Sequence, residues 1–122
     1  MKFAATALAC FILVGCGPMF DCDDTFVRTV DDPLKVRSVS IVIRDCGATT
    51  DYTTLVILHA SSLAPDPDLD PRILVIKGKQ SVVLTWEDSS HLTITTQIDS
   101  IFSRDVPEGF FLTVKDSEVG EN

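Results

Sequence analysis

Apolar and polar residues alternate with a period of two through most of this chain, and that pattern predicts β-strands. Segment 36–44 shows it clearly, because Val39 and Ile41 fall on one face while Ser38 and Ser40 fall on the other. No segment carries the 3.6-residue apolar stripe of an amphipathic helix over ten residues. The sequence therefore predicts an all-β domain.

Seven segments carry the strand pattern. Their predicted bounds are 25–30, 36–44, 52–59, 73–77, 81–86, 92–98 and 109–115. Segment 52–59 is apolar on both faces, which indicates a central strand. Because short connections favour pairing between sequential strands, we expect an antiparallel meander of six or seven strands, folded as a small sandwich or an open barrel.

Residues typical of turns separate the predicted strands. Gly78 permits a positive φ between two of them. The stretch 62–71 contains three prolines and cannot lie inside a sheet. Its alternating Asp66, Asp68 and Asp70 resemble part of a calcium loop, but the Gly and Glu that an EF-hand requires are missing. We expect a solvated acidic loop without a metal.

The first fifteen residues have a different pattern. Residues 3–15 are uncharged and follow the basic Lys2. This run is shorter than the roughly 20 apolar residues that span a bilayer. It is typical of a secretory signal peptide, which is removed on export. The alternative is a buried N-terminal helix.

The end of this run, Leu13-Val14-Gly15-Cys16, resembles the lipobox of bacterial lipoproteins. The resemblance implies that Cys16 carries a diacylglyceryl group, becomes the first residue of the mature protein and is acylated at its amino group, with palmitate as the expected chain. Two or three acyl chains hold a protein stably on a membrane. Gly17 favours the outer membrane, facing the periplasm in a Gram-negative cell.

These features divide the chain into three parts. Residues 1–15 form the predicted signal peptide, 16–24 a lipidated tether and 25–122 a single β-domain. Cys22 lies six positions after Cys16, which is at most about 20 Å of extended chain. The domain should therefore lie close to the membrane of the cell envelope.

The net charge of the chain excludes further classes of function. The 122 residues include 10 Lys and Arg against 18 Asp and Glu, a net charge of −8 that becomes −9 once Lys2 is removed. This balance argues against nucleic-acid binding, which needs a basic surface, and the length excludes a multi-domain enzyme. An acidic domain attracts a basic protein partner if it has one.

The four cysteines have separate expected roles. Cys10 leaves with the signal peptide and Cys16 is lipidated, so Cys22 and Cys46 remain in an oxidising compartment. A disulfide between them would close a loop of about 24 residues and contribute roughly 3 kcal/mol. The alternative is a metal-binding or redox pair, although neither cysteine lies in a Cys-x-x-Cys motif.

No constellation for catalysis or cofactor binding stands out. The only histidines, His59 and His91, have no partner at ligand spacing, and neither a nucleophile elbow nor a Gly-rich phosphate loop is present. We therefore assign no catalytic residue, metal or cofactor. The aromatic residues Phe102, Phe110 and Phe111 are expected in the core, although alternation allows only one of Phe110 and Phe111 to point into it.

The string at 44–50, R-D-C-G-A-T-T, resembles a turn found in a family of small bacterial lipoproteins of unknown function. Members also carry a Cys soon after the lipobox and a W-x-D-x-x-x-L hairpin, which 86–92 matches here. The resemblance implies a disulfide and a β-fold, and it supplies no activity.

The same string has a physical interpretation. A disulfide at Cys46 would pin a hairpin tip, Gly47 would adopt dihedrals unfavourable to other residues, and threonine hydroxyls would cap the loop. A candidate recognition surface then comprises Arg44, Asp45, Gly47, Thr49 and Thr50. The alternative is that this tip only holds the disulfide.

The leading hypothesis is a non-catalytic, membrane-anchored envelope lipoprotein that acts by binding or as a structural component. A second hypothesis is an inhibitor of a cationic enzyme such as lysozyme, since membrane-bound lysozyme inhibitors are also small, β-rich, disulfide-bonded lipoproteins. That second hypothesis is an analogy at the level of the fold. An enzyme is a third hypothesis, which the missing catalytic constellation disfavours.

Overall fold

The computed structural model describes residues 22–47 and 51–117, which fold into eight β-strands. The predicted signal peptide, Cys16, Thr49 and Thr50 lie outside the described residues. The strands are β1 (Asp23–Asp31), β2 (Arg37–Asp45), β3 (Thr53–Ala60), β4 (Arg72–Lys77), β5 (Val83–Asp88), β6 (His91–Thr96), β7 (Ile101–Arg104) and β8 (Phe111–Asp116). A single 3-10 turn, Ile98–Ser100, precedes β7. The all-β prediction is confirmed.

The strands form two open sheets. One has five strands in the order β1-β2-β3-β4-β7, and the other has three in the order β5-β6-β8. All neighbouring strands are antiparallel except β6 and β8, which run parallel with His91 opposite Phe111. Of the two architectures predicted, the described residues form the small sandwich and not the barrel.

The main core lies between the two sheets. Its buried members come from both of them: Val39, Ile41, Val56, Leu58, Ile73, Leu74, Ile76, Val82, Leu92, Ile94, Phe110 and Leu112. Leu84 and Trp86 pack against its margin. The period-two alternation therefore identified the inward face of most strands correctly. Each fully buried aliphatic side chain contributes about 1.5–3 kcal/mol through removal from water.

A second, smaller core lies on the opposite face of the five-stranded sheet. Val42, Leu55 and Ile57 are buried there. Because β3 contributes to both cores, its prediction as a central strand is confirmed.

The loop over residues 61–71 lies across this second face. Arg44, two residues from Val42 and therefore on the same face, binds Asp68 of the loop. Arg72 Nε donates to the carbonyl oxygen of Pro67, which is itself buried, at 2.8 Å. Asp68 and Leu69 are exposed to solvent, as expected of an acidic loop, and the contacts with Arg44 and Arg72 tie the loop to the sheet.

Two features at the end of β6 depart from the prediction. The strand ends at Thr96, although the predicted strand extended to residue 98, so Ile98 begins the 3-10 turn and is exposed. The unpredicted strand β7 then pairs with β4 at the edge of the other sheet. β7 takes the chain from the three-stranded sheet to the five-stranded sheet. Because the chain then returns, β8 pairs with β6 in the parallel orientation and not antiparallel.

The sandwich has two ends that differ in structure. The start of β1 and the end of β2 meet at the disulfide end, where Cys22 and Cys46 lie. At the opposite, turn end, the β1–β2 turn lies close to the β5–β6 turn, because Trp86 Nε1 on β5 donates to the carbonyl oxygen of Val30 at 3.2 Å. β1 has nine residues, so the two ends are about 30 Å apart.

Candidate functional site

A disulfide closes the first of these ends. Cys22 and Cys46 are bonded, with an S–S distance of 1.99 Å and Cα atoms 4.1 Å apart. They lie one position beyond the register pair Asp23 and Asp45. The predicted disulfide is confirmed, and the alternative metal or redox pair does not apply. The bond fixes the beginning of β1 to the end of β2.

Asp45 and Gly47 lie on either side of Cys46 of the disulfide. Gly47 has a φ of 124°, a conformation that other residues rarely adopt, and its N–H donates to Asp45 Oδ1 at 3.1 Å. Asp45 therefore shapes the turn, and Gly47 supplies the backbone freedom expected of it.

The side chain of Arg44, a residue of the predicted recognition surface, forms hydrogen bonds within the fold. Its Nε and Nη2 donate to the two carboxylate oxygens of Asp24 at 2.7 and 2.9 Å, and Nη2 also reaches Asp68 at 3.0 Å. The hydrogen bond from Arg44 lowers the pKa of Asp24, outweighing the opposite effect of burial. The same bond raises the pKa of Arg44. Arg44 therefore clamps β1 and the 61–71 loop to β2.

Two further side chains at the disulfide end escaped the sequence analysis. Tyr52 and Lys79 line a cavity of about 430 Å³ together with Asp23 and Asp45. Lys79 Nζ lies 4.2 Å from the centre of the Tyr52 ring, a cation–π distance. Neither residue belongs to a sequence motif, and the pairing of β3 with β2 and of β4 with β3 brings them to this cavity.

Two of the three aspartates of the 61–71 loop, Asp66 and Asp70, hold the loop itself, whereas Asp68 binds Arg44. Asp66 Oδ1 accepts from the N–H groups of Asp68 and Leu69, and Asp70 Oδ2 accepts from the N–H of Asp66 at 2.7 Å. Within residues 22–47 and 51–117, no group of three or more His, Cys, Asp or Glu side chains is arranged to hold a metal.

Ser40 and His59 form a buried pair on the outer face of the five-stranded sheet. Ser40 Oγ lies 2.7 Å from His59 Nε2. His59 Nδ1 faces two carbonyl oxygens, those of Ala60 at 2.8 Å and Leu63 at 3.1 Å. Carbonyl oxygens only accept, so Nδ1 carries the proton. In a Ser-His-Asp triad a carboxylate would occupy the place of these carbonyl oxygens beside Nδ1. Because one of the two carbonyl groups belongs to Leu63, the pair anchors the start of the 61–71 loop.

Exposed apolar side chains gather at the turn end. Leu34 is 72% exposed in the β1–β2 turn, and Phe111 is 56% exposed at the start of β8. The Phe111 ring stacks on His91 with centroids 4.7 Å apart and planes inclined by 11°. Phe110, next along the chain, is buried. The prediction that only one of these two phenylalanines enters the core is confirmed.

A cavity of about 520 Å³ separates the two turns at this end. Leu34 and Pro33 line one side, and Glu87, Asp88 and His91 line the other. We define the turn-end surface as Pro33, Leu34, Glu87, Asp88, His91 and Phe111. The chain folds these residues together from three separate segments.

A buried carboxylate holds the β1–β2 turn in shape. Asp32 is 2% exposed, and it accepts hydrogen bonds from the N–H groups of Val36 at 2.9 Å and Arg37 at 3.3 Å. Burial acts to raise the pKa of Asp32, but the backbone hydrogen bonds and the neighbouring Ser89 hydroxyl outweigh it, so the pKa is lowered. The turn that carries Leu34 is therefore well fixed.

The β5–β6 turn is held by Asp88. Its carboxylate accepts from the Ser90 N–H at 2.8 Å and lies 2.8 Å from His91 Nδ1. The hydrogen bond with His91 lowers the pKa of Asp88, so this carboxylate is ionised at neutral pH. Phe111 is tied to the same turn, because its N–H donates to the Ser90 carbonyl oxygen at 2.8 Å.

Phe102 departs from the sequence expectation. It was expected in the core, but it is 69% exposed on the edge strand β7. Lys77 Nζ lies 5.9 Å from its ring centre. In a four-residue edge strand the side chain has no second sheet to cover it, so the core expectation for Phe102 is wrong.

No family model, curated protein or solved structure matches the chain. In the part of the chain that the structure describes, no helix is long and apolar enough to cross a membrane.

Proposed function

We propose that this protein is a non-catalytic lipoprotein of the bacterial cell envelope, anchored through Cys16, whose β-sandwich binds a protein partner. The lipobox-like sequence at residues 13–16 supports the anchor. The resemblance of the string at 44–50 to small bacterial lipoproteins supports the same class. For a Gram-negative cell we propose the outer membrane, facing the periplasm.

The observation that carries this proposal is the opposition of the disulfide end and the turn-end surface. Cys22 starts the described fold only six residues after Cys16. A lipid on Cys16 would keep the disulfide end next to the bilayer, within about 20 Å. The turn-end surface, with Leu34 and Phe111, would then face away from the membrane, where a partner can reach it.

A binding role also fits the chemistry of the side chains. Ser40 and His59 lie beneath the surface and serve the packing of the 61–71 loop. Single exposed apolar residues are common on proteins, but Leu34 lines the cavity at the turn end and Phe111 stacks on His91, which lines the same cavity. Apolar surface of this kind is typical of an interaction site.

A second candidate function is inhibition of a cationic enzyme such as lysozyme. Glu87 and Asp88, which line the cavity at the turn end, favour it, as does the net charge of −8, because acidic surfaces steer basic partners toward them. Asp66, Asp68 and Asp70 support it less, since the carboxylates of Asp66 and Asp70 bind N–H groups of the loop and that of Asp68 binds Arg44.

Membrane fractionation tests the anchor. We expect the wild-type protein in the membrane fraction, with an N-terminal residue at Cys16 whose mass includes acyl chains. A Cys16→Ala variant should be released into the soluble fraction or remain unprocessed. A Cys10→Ala variant is the matched control and should behave like wild type. Recovery of Cys16→Ala in the membrane fraction in a processed form would refute the anchor.

A further inference from the structure

The turn-end surface combines three properties that rarely occur together on an exposed surface. Leu34 and Phe111 present apolar area to solvent. Glu87 and Asp88 bring two carboxylates to the same cavity as Leu34. The stacked rings of His91 and Phe111 form an aromatic wall beside them. A ligand that satisfies all three must be apolar along its length and positively charged at its end.

From this chemistry we infer that the turn-end surface binds a partner-protein segment in which a lysine or arginine is flanked by apolar side chains. The inference rests on the proposed binding function and specifies the partner. The aliphatic part of the basic side chain would pack on Leu34 and the aromatic wall. Its charged group would meet Glu87 and Asp88.

The surface is arranged before any partner arrives. Asp32 fixes the turn that carries Leu34 through the N–H groups of Val36 and Arg37. Asp88 fixes the opposite turn through Ser90 and His91. Binding to a preformed surface costs less conformational entropy than ordering a mobile loop.

Charge favours a basic partner over the alternatives. The chain carries a net charge of −8, which raises the association rate with cations and lowers it with anions. An anionic lipid surface would be repelled by Glu87 and Asp88. Lys35, in the same turn as Leu34, is the basic residue that a second copy of this chain could offer, so self-association is an outcome that the test must separate.

The experiment is a binding measurement on the full chain in its oxidised form, followed by amide chemical shifts. The probe is a hexapeptide of alternating leucine and arginine. One control peptide alternates leucine with glutamate, and the other alternates serine with arginine. We expect the leucine–arginine peptide to bind most tightly and to shift the amides of Leu34, Ser90 and Phe111.

Matched variants locate the site. Leu34→Ser should weaken binding about tenfold, because it removes one large apolar contact, and Leu69→Ser, which changes an exposed leucine in the 61–71 loop, should not. Glu87→Gln should weaken binding about threefold, whereas Asp99→Asn in the 3-10 turn should not.

The outcomes separate this inference from the proposed function. Absence of binding by the leucine–arginine peptide, equal binding of all three peptides or shifts confined to other residues would overturn the basic-partner inference. Peptide-independent shifts that grow with protein concentration would show self-association and also overturn it. None of these results bears on the lipid at Cys16, which membrane fractionation tests separately.

Discussion

Arg44 on β2 binds the carboxylate of Asp24 on β1 through two hydrogen bonds, 2.7 Å from Nε to Oδ1 and 2.9 Å from Nη2 to Oδ2. The two residues are register partners on neighbouring strands. Their side chains are only 16% and 19% exposed. Because Nη2 also reaches Asp68, one guanidinium connects the first strand, the second strand and the 61–71 loop.

Replacing this guanidinium should destabilise the domain. We expect Arg44→Ala to lower the free energy of unfolding by about 1–3 kcal/mol, since it leaves the partly buried Asp24 without its cation. Arg44→Lys should recover only part of this loss, because an ammonium cannot donate in the planar two-bond geometry. Urea unfolding measures the free energy of unfolding of both variants. The control is Lys115→Ala, an exposed cation on β8, and an equal effect of Lys115→Ala and Arg44→Ala would contradict the clamp.

The Asp24–Arg44 pair also predicts a pH dependence. The pKa of Asp24 is lowered in the folded protein, first by the hydrogen bond from Arg44. A lowered folded pKa gives stability that is present above the unfolded pKa, near 3.8, and is lost as pH falls through the folded value. We therefore expect the free energy of unfolding to fall between about pH 5 and pH 2. Asp24→Asn should flatten this dependence, and an unchanged slope would contradict it.

The strands of the fold were largely predictable from the sequence, because period-two alternation depends on one buried face and the main core supplies that face. The partition into two sheets was not predictable. β7 has four residues and an exposed face, so it leaves almost no periodic pattern. Without β7 the chain from β6 to β8 appears to be a simple antiparallel return, and the parallel pairing is missed.

The candidate site was harder to predict for a physical reason. Arg44 stands in a distinctive string, yet its side chain is used inside the fold. Leu34 and His91 belong to two turns whose sequences carry no functional signal. They form one surface only because the fold brings the ends of β1 and β5 together, where Trp86 binds the carbonyl oxygen of Val30. The disulfide could be predicted from the sequence, because disulfide formation depends on the redox state of the compartment and on the number of cysteines available to pair.

Reduction of the disulfide should loosen the disulfide end of the sandwich. In the chain-entropy model, opening a loop of 24 residues between Cys22 and Cys46 removes about 3 kcal/mol of stability. We expect a reductant to lower the midpoint of thermal unfolding and to speed hydrogen exchange at Asp23 and Asp24 first. The double variant Cys22→Ser/Cys46→Ser is the control and should not respond to reductant. A wild-type midpoint that is insensitive to reductant would contradict the stabilising role.

The buried carboxylate of Asp32 offers the most specific test of the turn end. Asp32→Ala leaves the N–H groups of Val36 and Arg37 without this acceptor, and buried donors that lose their partners are costly. We expect a loss of about 2–4 kcal/mol in the free energy of unfolding, together with faster hydrogen exchange at Val36. Asp32→Asn retains one acceptor oxygen and should lose less.

The matched control for Asp32→Ala is Asp105→Ala, which removes an exposed carboxylate just after β7 and should change stability by less than about 0.5 kcal/mol. A second measurement separates the turn from the rest of the fold. If Asp32 acts on the turn, the amide shifts of Leu34 and Lys35 should change more than those of β3. Equal shifts throughout both sheets would mean that the carboxylate supports the whole sandwich, and the preformed turn-end surface would then lose its main structural support.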